Sequence, residues 1–204
     1  MKPHIVGIAG PSGAGKSELA NRLAQQLGGA SVMTLDSYYR PMDDLPLEER
    51  RKSNFDLPAA LEWELLFNHL GRLRAGKAIE EPIYDFTCHT RKPGGRRVEP
   101  REFVIVEGLF TLYWEEVRGA LDTKVFVTTA QDTCFERRLA RDVAERGRTP
   151  QSVREQYELT VRPSAETYIR PTERFADVVV SGEQSIEDSI AAILAQLQGR
   201  IAAV

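Results

Sequence analysis

The feature that most constrains this chain is a glycine-rich turn between two regular elements. Residues 10–17 read Gly-Pro-Ser-Gly-Ala-Gly-Lys-Ser and match the pattern G-x-x-x-x-G-K-[ST] at every fixed position. An apolar, β-branched run from His4 to Ala9 precedes the turn, and leucines with helical spacing follow it from Lys16 to Leu27. A strand, a glycine-rich turn and a helix in this order predict a loop whose backbone N–H groups converge on phosphate oxygens.

Each kind of residue in this loop has a physical task. Glycines let the backbone approach an anion closely, and the positive end of the following helix points at that anion. We predict that Lys16 reaches the β and γ phosphates of a nucleoside triphosphate and that the Ser17 hydroxyl ligates Mg²⁺. A dinucleotide-binding fingerprint is excluded because Glu18 stands where it needs glycine. The predicted nucleotide-binding residues are Gly10, Pro11, Ser12, Gly13, Ala14, Gly15, Lys16 and Ser17.

The rest of the chain alternates between strand and helix patterns. Strands are predicted at residues 31–35, 103–106, 124–127 and 177–180, and helices at 59–75, at 131–146, from about 150, and at 186–203. Residues 37–58 are polar and contain prolines, so they are expected to be loop with at most a short helix. Pro163 and Pro171 are expected to interrupt or bound the helical region that begins near 150. Connections of these lengths favour an α/β fold in one domain over 1–204, with a mainly parallel sheet and helices on both faces.

Two segments add to this plan. Residues 76–102 hold glycines and prolines among many basic residues, and we interpret them as an excursion away from the core, for which a hairpin is one form. Arginines crowd the helix at 131–146 and the residues that follow it. At about 100° per residue, helical geometry alone does not select which of them face a phosphate. We interpret 131–165 as a lid over a bound nucleotide, rather than a solvated face paired with its own acids.

Two acidic residues directly follow apolar strands. Asp36 lies just past the strand at 31–35, and Glu107 follows the run Phe-Val-Ile-Val at 103–106. Open α/β sheets bind ligands at the carboxyl ends of their strands. Asp36 can therefore accept a proton from an attacking hydroxyl or hold Mg²⁺ through water, and Glu107 occupies the usual place of a second magnesium contact.

Composition and short motifs exclude several classes of protein. The chain has 204 residues, of which 28% are charged, and a net charge of −3 gives no general attraction to nucleic acid or anionic lipid. Cys88 and Cys134 are too few for a disulfide framework or a four-cysteine zinc site. The first apolar run is too short for a signal peptide and no run approaches the roughly 20 residues of a membrane span, so a cytoplasmic protein is expected. Asn-Lys-x-Asp and Leu-Ser-Gly-Gly-Gln, typical of GTPases and transport ATPases, are absent.

Taken together, these strings resemble the uridine kinase (uridine–cytidine kinase) family of P-loop kinases, to about residue 180. The first matches are the phosphate loop, Asp-Ser-Tyr-Tyr (36–39), Asn-Phe-Asp-Leu-Pro (54–58), Pro-Ile-Tyr-Asp-Phe (82–86) with His89 and Arg91, and Val-Glu-Gly (106–108). The others are Arg-Arg-Leu-Ala-Arg-Asp (137–142), Glu-Arg-Gly-Arg (145–148), Gln-Tyr (156–157), Pro-Thr (171–172) and Phe-Ala-Asp-Val (175–178). The chain departs from the family pattern at 128–132 and 181–184, which read Thr-Thr-Ala-Gln-Asp and Ser-Gly-Glu-Gln.

The resemblance implies that ATP, with Mg²⁺, phosphorylates the 5′-hydroxyl of uridine or cytidine. It implies that Asp36 is the base for that hydroxyl, that Asp56 holds the ribose hydroxyls, and that Ser17 and Glu107 contact the metal. Catalytic roles are implied for Asp36, Lys16 and the lid arginines Arg141 and Arg148. Nucleoside contacts are implied for Phe55, Asp56, Tyr84, Phe86, His89, Arg138 and Gln156. The family also implies a homo-oligomer, namely a tetramer.

Two other interpretations remain open at this point. A kinase on the same scaffold, such as phosphoribulokinase or pantothenate kinase, would use another acceptor and should lack a pair like Tyr84 and His89. A non-catalytic nucleotide switch belongs to a different class, and Asp36 argues against it. Turnover of ATP that uridine stimulates would exclude the switch.

Overall fold

A computed structural model describes residues 2–201, with side chains described to residue 198. The strands are β1 His4–Ala9, β2 Ser31–Thr34, β3 Ile79–Asp85, β4 Thr90–Val98, β5 Phe103–Glu107, β6 Thr123–Thr128 and β7 Val178–Ser181. The α-helices are α1 Lys16–Gln26, α2 Leu47–Arg50, α3 Trp63–Arg74, α4 Glu115–Gly119, α5 Gln131–Arg146, α6 Pro150–Gln156, α7 Arg162–Ser164 and α8 Ile186–Ile201. Turns of 3₁₀ type cover Leu35–Tyr38, Pro58–Ala60 and Arg170–Phe175, and π-helical turns cover Tyr157–Val161 and Ala165–Ile169.

Within residues 2–201, five strands form one parallel sheet in the order β2-β5-β1-β6-β7. Every residue of β5 is buried, as expected for a parallel strand that is covered on both faces. The carboxyl ends of β1, β2 and β5 meet at one edge of this sheet. The prediction of a parallel sheet with helices on both faces is confirmed.

The sheet separates two apolar layers, and β1 supplies both because its side chains alternate. Ile5 and Ala9 pack in one layer with leucines of α3, while Val6 and Ile8 pack in the other with α1 and α8. In α1 the residues Leu19 and Leu23 lie one turn apart and are buried. Helical spacing in the sequence therefore identified the buried face of α1.

The helix predicted for 59–75 begins later than expected. Pro58–Ala60 is a 3₁₀ turn, and Leu61 is extended and forms an isolated bridge with Tyr39, so α3 begins only at Trp63. Pairing with a distant segment has overridden the helical spacing of Leu61. The predicted helix 186–203 begins at Ile186 as expected, and residues 202–203 lie outside the described part of the chain.

The prediction that Pro163 interrupts or bounds the helical region is wrong. This proline lies in α7, between the two π-helical turns. In the first turn the Arg162 N–H donates to the Tyr157 carbonyl five residues earlier, so the hydrogen bonding has shifted ahead of the proline. Pro171 does bound the region, since it lies in the 3₁₀ turn that ends it.

The basic excursion contains an antiparallel hairpin of β3 and β4, with Ile79 opposite Val98 and Tyr84 opposite Arg91. Away from it, Trp63 of α3 stacks on Trp114, just before α4, with ring centroids 6.0 Å apart. Among the described helices, none has the length and apolar character that crossing a membrane would require.

Candidate active site

The phosphate loop folds as its glycines allow. Gly13 has φ of +85°, and a Cβ there would lie 2.3 Å from the Cys134 carbonyl oxygen of α5. A side chain at this position would therefore be both strained and sterically blocked. The loop turns tightly against α5 and leads directly into the N-terminus of α1, where N–H groups are free to bind an anion.

Lys16 lies inside the curve of this loop. Its side chain is buried, and Nζ donates to the Pro11 carbonyl at 2.9 Å. Burial lowers the pKa of Lys16, while the carboxylates of Glu107 and Asp36 oppose that shift. The two predicted acids thus lie close enough to stabilise the ammonium.

Ser17 and Glu107 meet at the ends of α1 and β5. Ser17 Oγ donates to Glu107 Oε1 at 3.1 Å, and Glu107 is 7% exposed. Burial raises the pKa of Glu107, and the Lys16 ammonium acts against this rise. A hydroxyl and a carboxylate oxygen side by side are hard ligands of the kind that Mg²⁺ takes, together with phosphate oxygens and water. The donor set fits a magnesium ion bound between protein and nucleotide.

Asp36 lies in the 3₁₀ turn that follows β2. The Thr34 hydroxyl caps this turn and accepts from the Asp36 N–H at 3.3 Å. Asp36 is half-buried and lines the same cleft as Lys16 and Glu107. The ends of β2 and β5 therefore bring both acids to the phosphate loop, as their positions after apolar strands predicted.

Aromatic rings form part of the wall of this cleft. The His89 ring stacks on Phe55 at 5.1 Å with 18° between the planes, and Tyr84 lies 5.2 Å from Phe86. Tyr39 contacts both Phe55 and Tyr84, at 5.6 Å and 5.1 Å. These rings come from the segment after β2, from the loop before α3 and from the tip of the hairpin. Together they give this part of the cleft an apolar wall of ring faces and edges.

The position and the protonation of the His89 ring suit it to hydrogen bonding inside the cleft. Its φ of +50° is unusual for a residue with a side chain and places the ring over Phe55 at the hairpin tip. Burial lowers the pKa of His89 from 6.5, and nearby arginines, Arg51 first, lower it further. The imidazole is therefore neutral at pH 7 and carries one donor and one acceptor.

Arginines of α5 and of the residues just after it, in the segment interpreted as a lid, gather around one buried carboxylate. Asp142 is 0% exposed and lies 2.8–3.9 Å from the nearest nitrogen of four arginines, which are Arg138, Arg141, Arg146 and Arg148. A shared anion offsets the repulsion that would otherwise separate these guanidinium groups. Which of these arginines face a phosphate stays a prediction, because the structure shows all four of them paired with Asp142.

Hydrogen bonds of Gln156 and Asp56 join the helical segment after α5 to other residues of the cleft. Gln156 Oε1 accepts from Arg138 at 3.0 Å and also from Arg148. Arg138 in turn donates to Ser12 Oγ of the phosphate loop at 2.9 Å. Asp56 is buried, and its carboxylate accepts from Thr160 at 2.8 Å. The helical segment after α5 thus binds both Arg138 and Asp56, which line the cleft.

One cleft of about 760 Å³ brings the predicted residues together. Those that line it are Ser12, Gly13, Gly15, Lys16, Ser17, Asp36, Phe55, Asp56, Tyr84, Phe86, His89, Glu107, Arg138, Arg141, Arg148 and Gln156. Gly10, Pro11 and Ala14 belong to the loop but are buried and do not line the cleft. Residues that line the cleft without having been assigned a place there include Tyr39, Arg51, Arg137 and Arg146. Tyr39 is the last residue of the string Asp-Ser-Tyr-Tyr (36–39), so its closeness to Asp36 in the sequence could have identified it.

Comparison with known proteins places this chain in a family. Residues 5–187 match the model of the phosphoribulokinase/uridine kinase family. The chain belongs to this family.

Curated members of the family are similar over most of their length. A uridine kinase from Deinococcus deserti is 45% identical over 182 residues, covering 88% of each chain. A uridine kinase from Ligilactobacillus salivarius is 44% identical over 189 residues, which cover 91% of this chain and 89% of that one. Among solved structures, phosphoribulokinase from Rhodobacter spheroides superposes with a TM-score of 0.64 at 17% identity, over 88% of this chain and 70% of its own. That structural likeness supports the fold alone.

Proposed function

We propose that this protein is a uridine–cytidine kinase, which transfers the γ-phosphoryl group of ATP to the 5′-hydroxyl of the nucleoside. The observation that carries the proposal is that Asp36 and Lys16 line the same cleft as a group of aromatic rings with His89. The part of the cleft lined by the loop at 10–17 is called the phosphate end, and the part lined by Phe55, Tyr84 and His89 the acceptor end. A carboxylate beside a phosphate loop suits a hydroxyl acceptor, and a flat apolar wall suits a base.

The acceptor end matches the chemistry of a pyrimidine nucleoside. The uracil ring presents an N3–H donor beside the O4 acceptor, whereas cytosine presents the opposite pattern. A neutral His89 has one donor and one acceptor and can serve either base by a ring flip or a change of tautomer. The buried Asp56 carboxylate provides acceptors for ribose hydroxyls, and Asp36 takes the proton of the 5′-hydroxyl.

At the phosphate end, Lys16 and the backbone of residues 10–17 would bind the β and γ phosphates, and Ser17 and Glu107 would hold Mg²⁺. When bound, Mg²⁺ neutralises charge on the phosphate oxygens. Arg141 and Arg148 approach the same oxygens from the lid. Both are tied to Asp142 and can exchange this partner for phosphate, because neither is fully buried.

A kinase with another acceptor is the second candidate, since the fold is shared with phosphoribulokinase. Two findings favour the nucleoside. The curated relatives at 40–45% identity are named uridine kinase, and a sugar phosphate would make no use of the wall formed by Phe55, Tyr84 and His89.

The decisive experiment is an ADP-release assay with a panel of acceptors. We expect turnover with uridine and cytidine, little with adenosine and guanosine, and none with ribulose 5-phosphate or pantothenate. Mass spectrometry of the product should show UMP phosphorylated at the 5′ position. Turnover with a non-nucleoside acceptor alone would overturn the proposal, and ATP binding without uridine-dependent turnover would favour a nucleotide switch.

The proposal extends to the setting of the reaction. A kinase that phosphorylates free pyrimidine nucleosides acts in pyrimidine salvage, and we place it in the cytoplasm. The resemblance also implies a homo-tetramer. Sedimentation velocity of the purified protein, with and without ATP, tests that assembly.

A further inference from the structure

An ion pair between a buried acid and a half-exposed arginine joins the two strands of the hairpin outside the cleft. Glu81 of β3 is 1% exposed, and it lies opposite Arg96 of β4 in the hairpin register. Arg96 Nε donates to Glu81 Oε2 at 2.8 Å. Neither residue lines the cleft. Because removing a carboxylate from water is costly, an acid this buried needs strong partners.

The pair reaches the edge of the parallel sheet. The Thr34 backbone N–H donates to Glu81 Oε1 at 3.0 Å, and Arg96 Nη2 donates to the Val32 carbonyl at 2.6 Å. In the described sheet β2 is an edge strand, so these groups face away from its neighbour β5. The two charged side chains therefore supply the hydrogen bonds that a further strand would supply.

The location of these bonds matters because β2 runs directly into the turn that carries Asp36. Thr34 is bound to Glu81 through its N–H and to the Asp36 N–H through its hydroxyl. Burial raises the pKa of Glu81, and Arg96, the Thr34 amide and the Ser37 side chain act against that rise. Thr34 lies two residues before Asp36, so the carboxylate of Glu81 binds the backbone at the point where β2 enters the turn that carries Asp36.

We propose that Glu81, held by Arg96, is a positioning residue that fixes the end of β2 and thereby the place of the Asp36 carboxylate. The inference rests on the proposed role of Asp36 as the base. Glu81 does not line the cleft in which the substrates are proposed to bind. Its effect arises because a displacement of about 1 Å at a reacting group can reduce the rate about 100-fold.

The test compares Glu81→Gln with Glu80→Gln. Glutamine keeps the shape of Glu81 and an oxygen for the Thr34 N–H, but it loses the charge that holds Arg96. The variant should fold, since the Arg96 side chain is 53% exposed and can turn to water. Glu80 is an exposed neighbour on the same strand and serves as the matched control. The measurements are kcat, the KM values for uridine and ATP, and amide hydrogen exchange of residues 32–38.

For Glu81→Gln we expect kcat to fall roughly 10- to 100-fold with the KM for ATP changed by less than about twofold. Exchange of residues 32–38 should be faster than in the wild type, and Glu80→Gln should match the wild type in both. Wild-type kcat in folded Glu81→Gln, or unchanged exchange at 32–38, overturns the positioning role. A wild-type enzyme without uridine-dependent turnover would instead refute the proposed function, and the exchange experiment would still decide whether Glu81 fixes the turn.

Discussion

At the phosphate end of the cleft, one continuous stretch of chain supplies the loop, the lysine and the serine. At the acceptor end, the rings of Tyr39, Phe55, Tyr84 and His89 come from segments far apart in the sequence. The phosphate end is built largely from backbone, which glycines place close to an anion. The acceptor end is built from side chains whose positions depend on the hairpin and the loop before α3. Substitutions at the two ends should therefore affect different substrates.

The largest effect is expected where the two ends meet. Asp36→Asn should lower kcat by about 100-fold or more with little change in either KM, because it removes the proposed base and keeps the shape. Steady-state kinetics with uridine and ATP measure this, and Asp44→Asn, an exposed acid after the same turn, is the control. Near-wild-type turnover of folded Asp36→Asn would refute the assignment of the base.

At the phosphate end, Lys16→Ala should reduce kcat/KM for ATP by about 100-fold, since it removes a buried cation from the proposed site of the γ-phosphate. Uridine binding, measured calorimetrically without ATP, should stay close to wild type. Lys77→Ala, at an exposed lysine after α3, controls for the loss of a surface charge. If Lys16→Ala weakened uridine binding as much as ATP use, the two ends would not be separable.

At the acceptor end, a substitution should impair the use of the nucleoside and leave the use of ATP unchanged. His89→Leu leaves the base edge without a partner, which costs roughly 1–3 kcal/mol, or about 5- to 150-fold in kcat/KM for uridine and cytidine. His89→Gln keeps a donor and an acceptor and should retain more activity than the leucine variant. The KM for ATP should not change in either. Equal specificity constants for wild type and His89→Leu would show that His89 does not contact the base.

The smallest effect concerns pH. Burial and nearby arginines lower the pKa of His89 below 6.5, so the ring gains a proton only as the pH falls through that lowered value. Protonation removes the acceptor, and kcat/KM for uridine should therefore decline more steeply as the pH falls below 6.5 in the wild type than in His89→Gln, which does not titrate there. Identical pH profiles would indicate that the protonation of His89 does not matter for binding.

The contrast between the two ends also explains what the sequence could predict. The loop at 10–17, the parallel strands and the positions of Asp36 and Glu107 follow from local patterns, and the structure places them as expected. The predicted start of α3 was wrong because Leu61 pairs with Tyr39, a contact that the spacing of apolar residues along the chain does not reveal. The arrangement of the arginines in and after α5 depends on the burial of Asp142. In the same way, the position of the turn that carries Asp36 depends on the buried Glu81. Burial of an acid is a tertiary property, and in the sequence both residues look like ordinary solvated charges.

The stack of Trp63 on Trp114 has a practical consequence for measurements on this protein. These are the two tryptophans of the chain, and neither lines the cleft. Their emission therefore reports whether α3 is packed against the segment before α4. An unfolding curve followed by tryptophan fluorescence monitors that helical layer, whereas the tyrosines at the acceptor end, or a labelled nucleotide, are needed to observe a ligand entering the cleft.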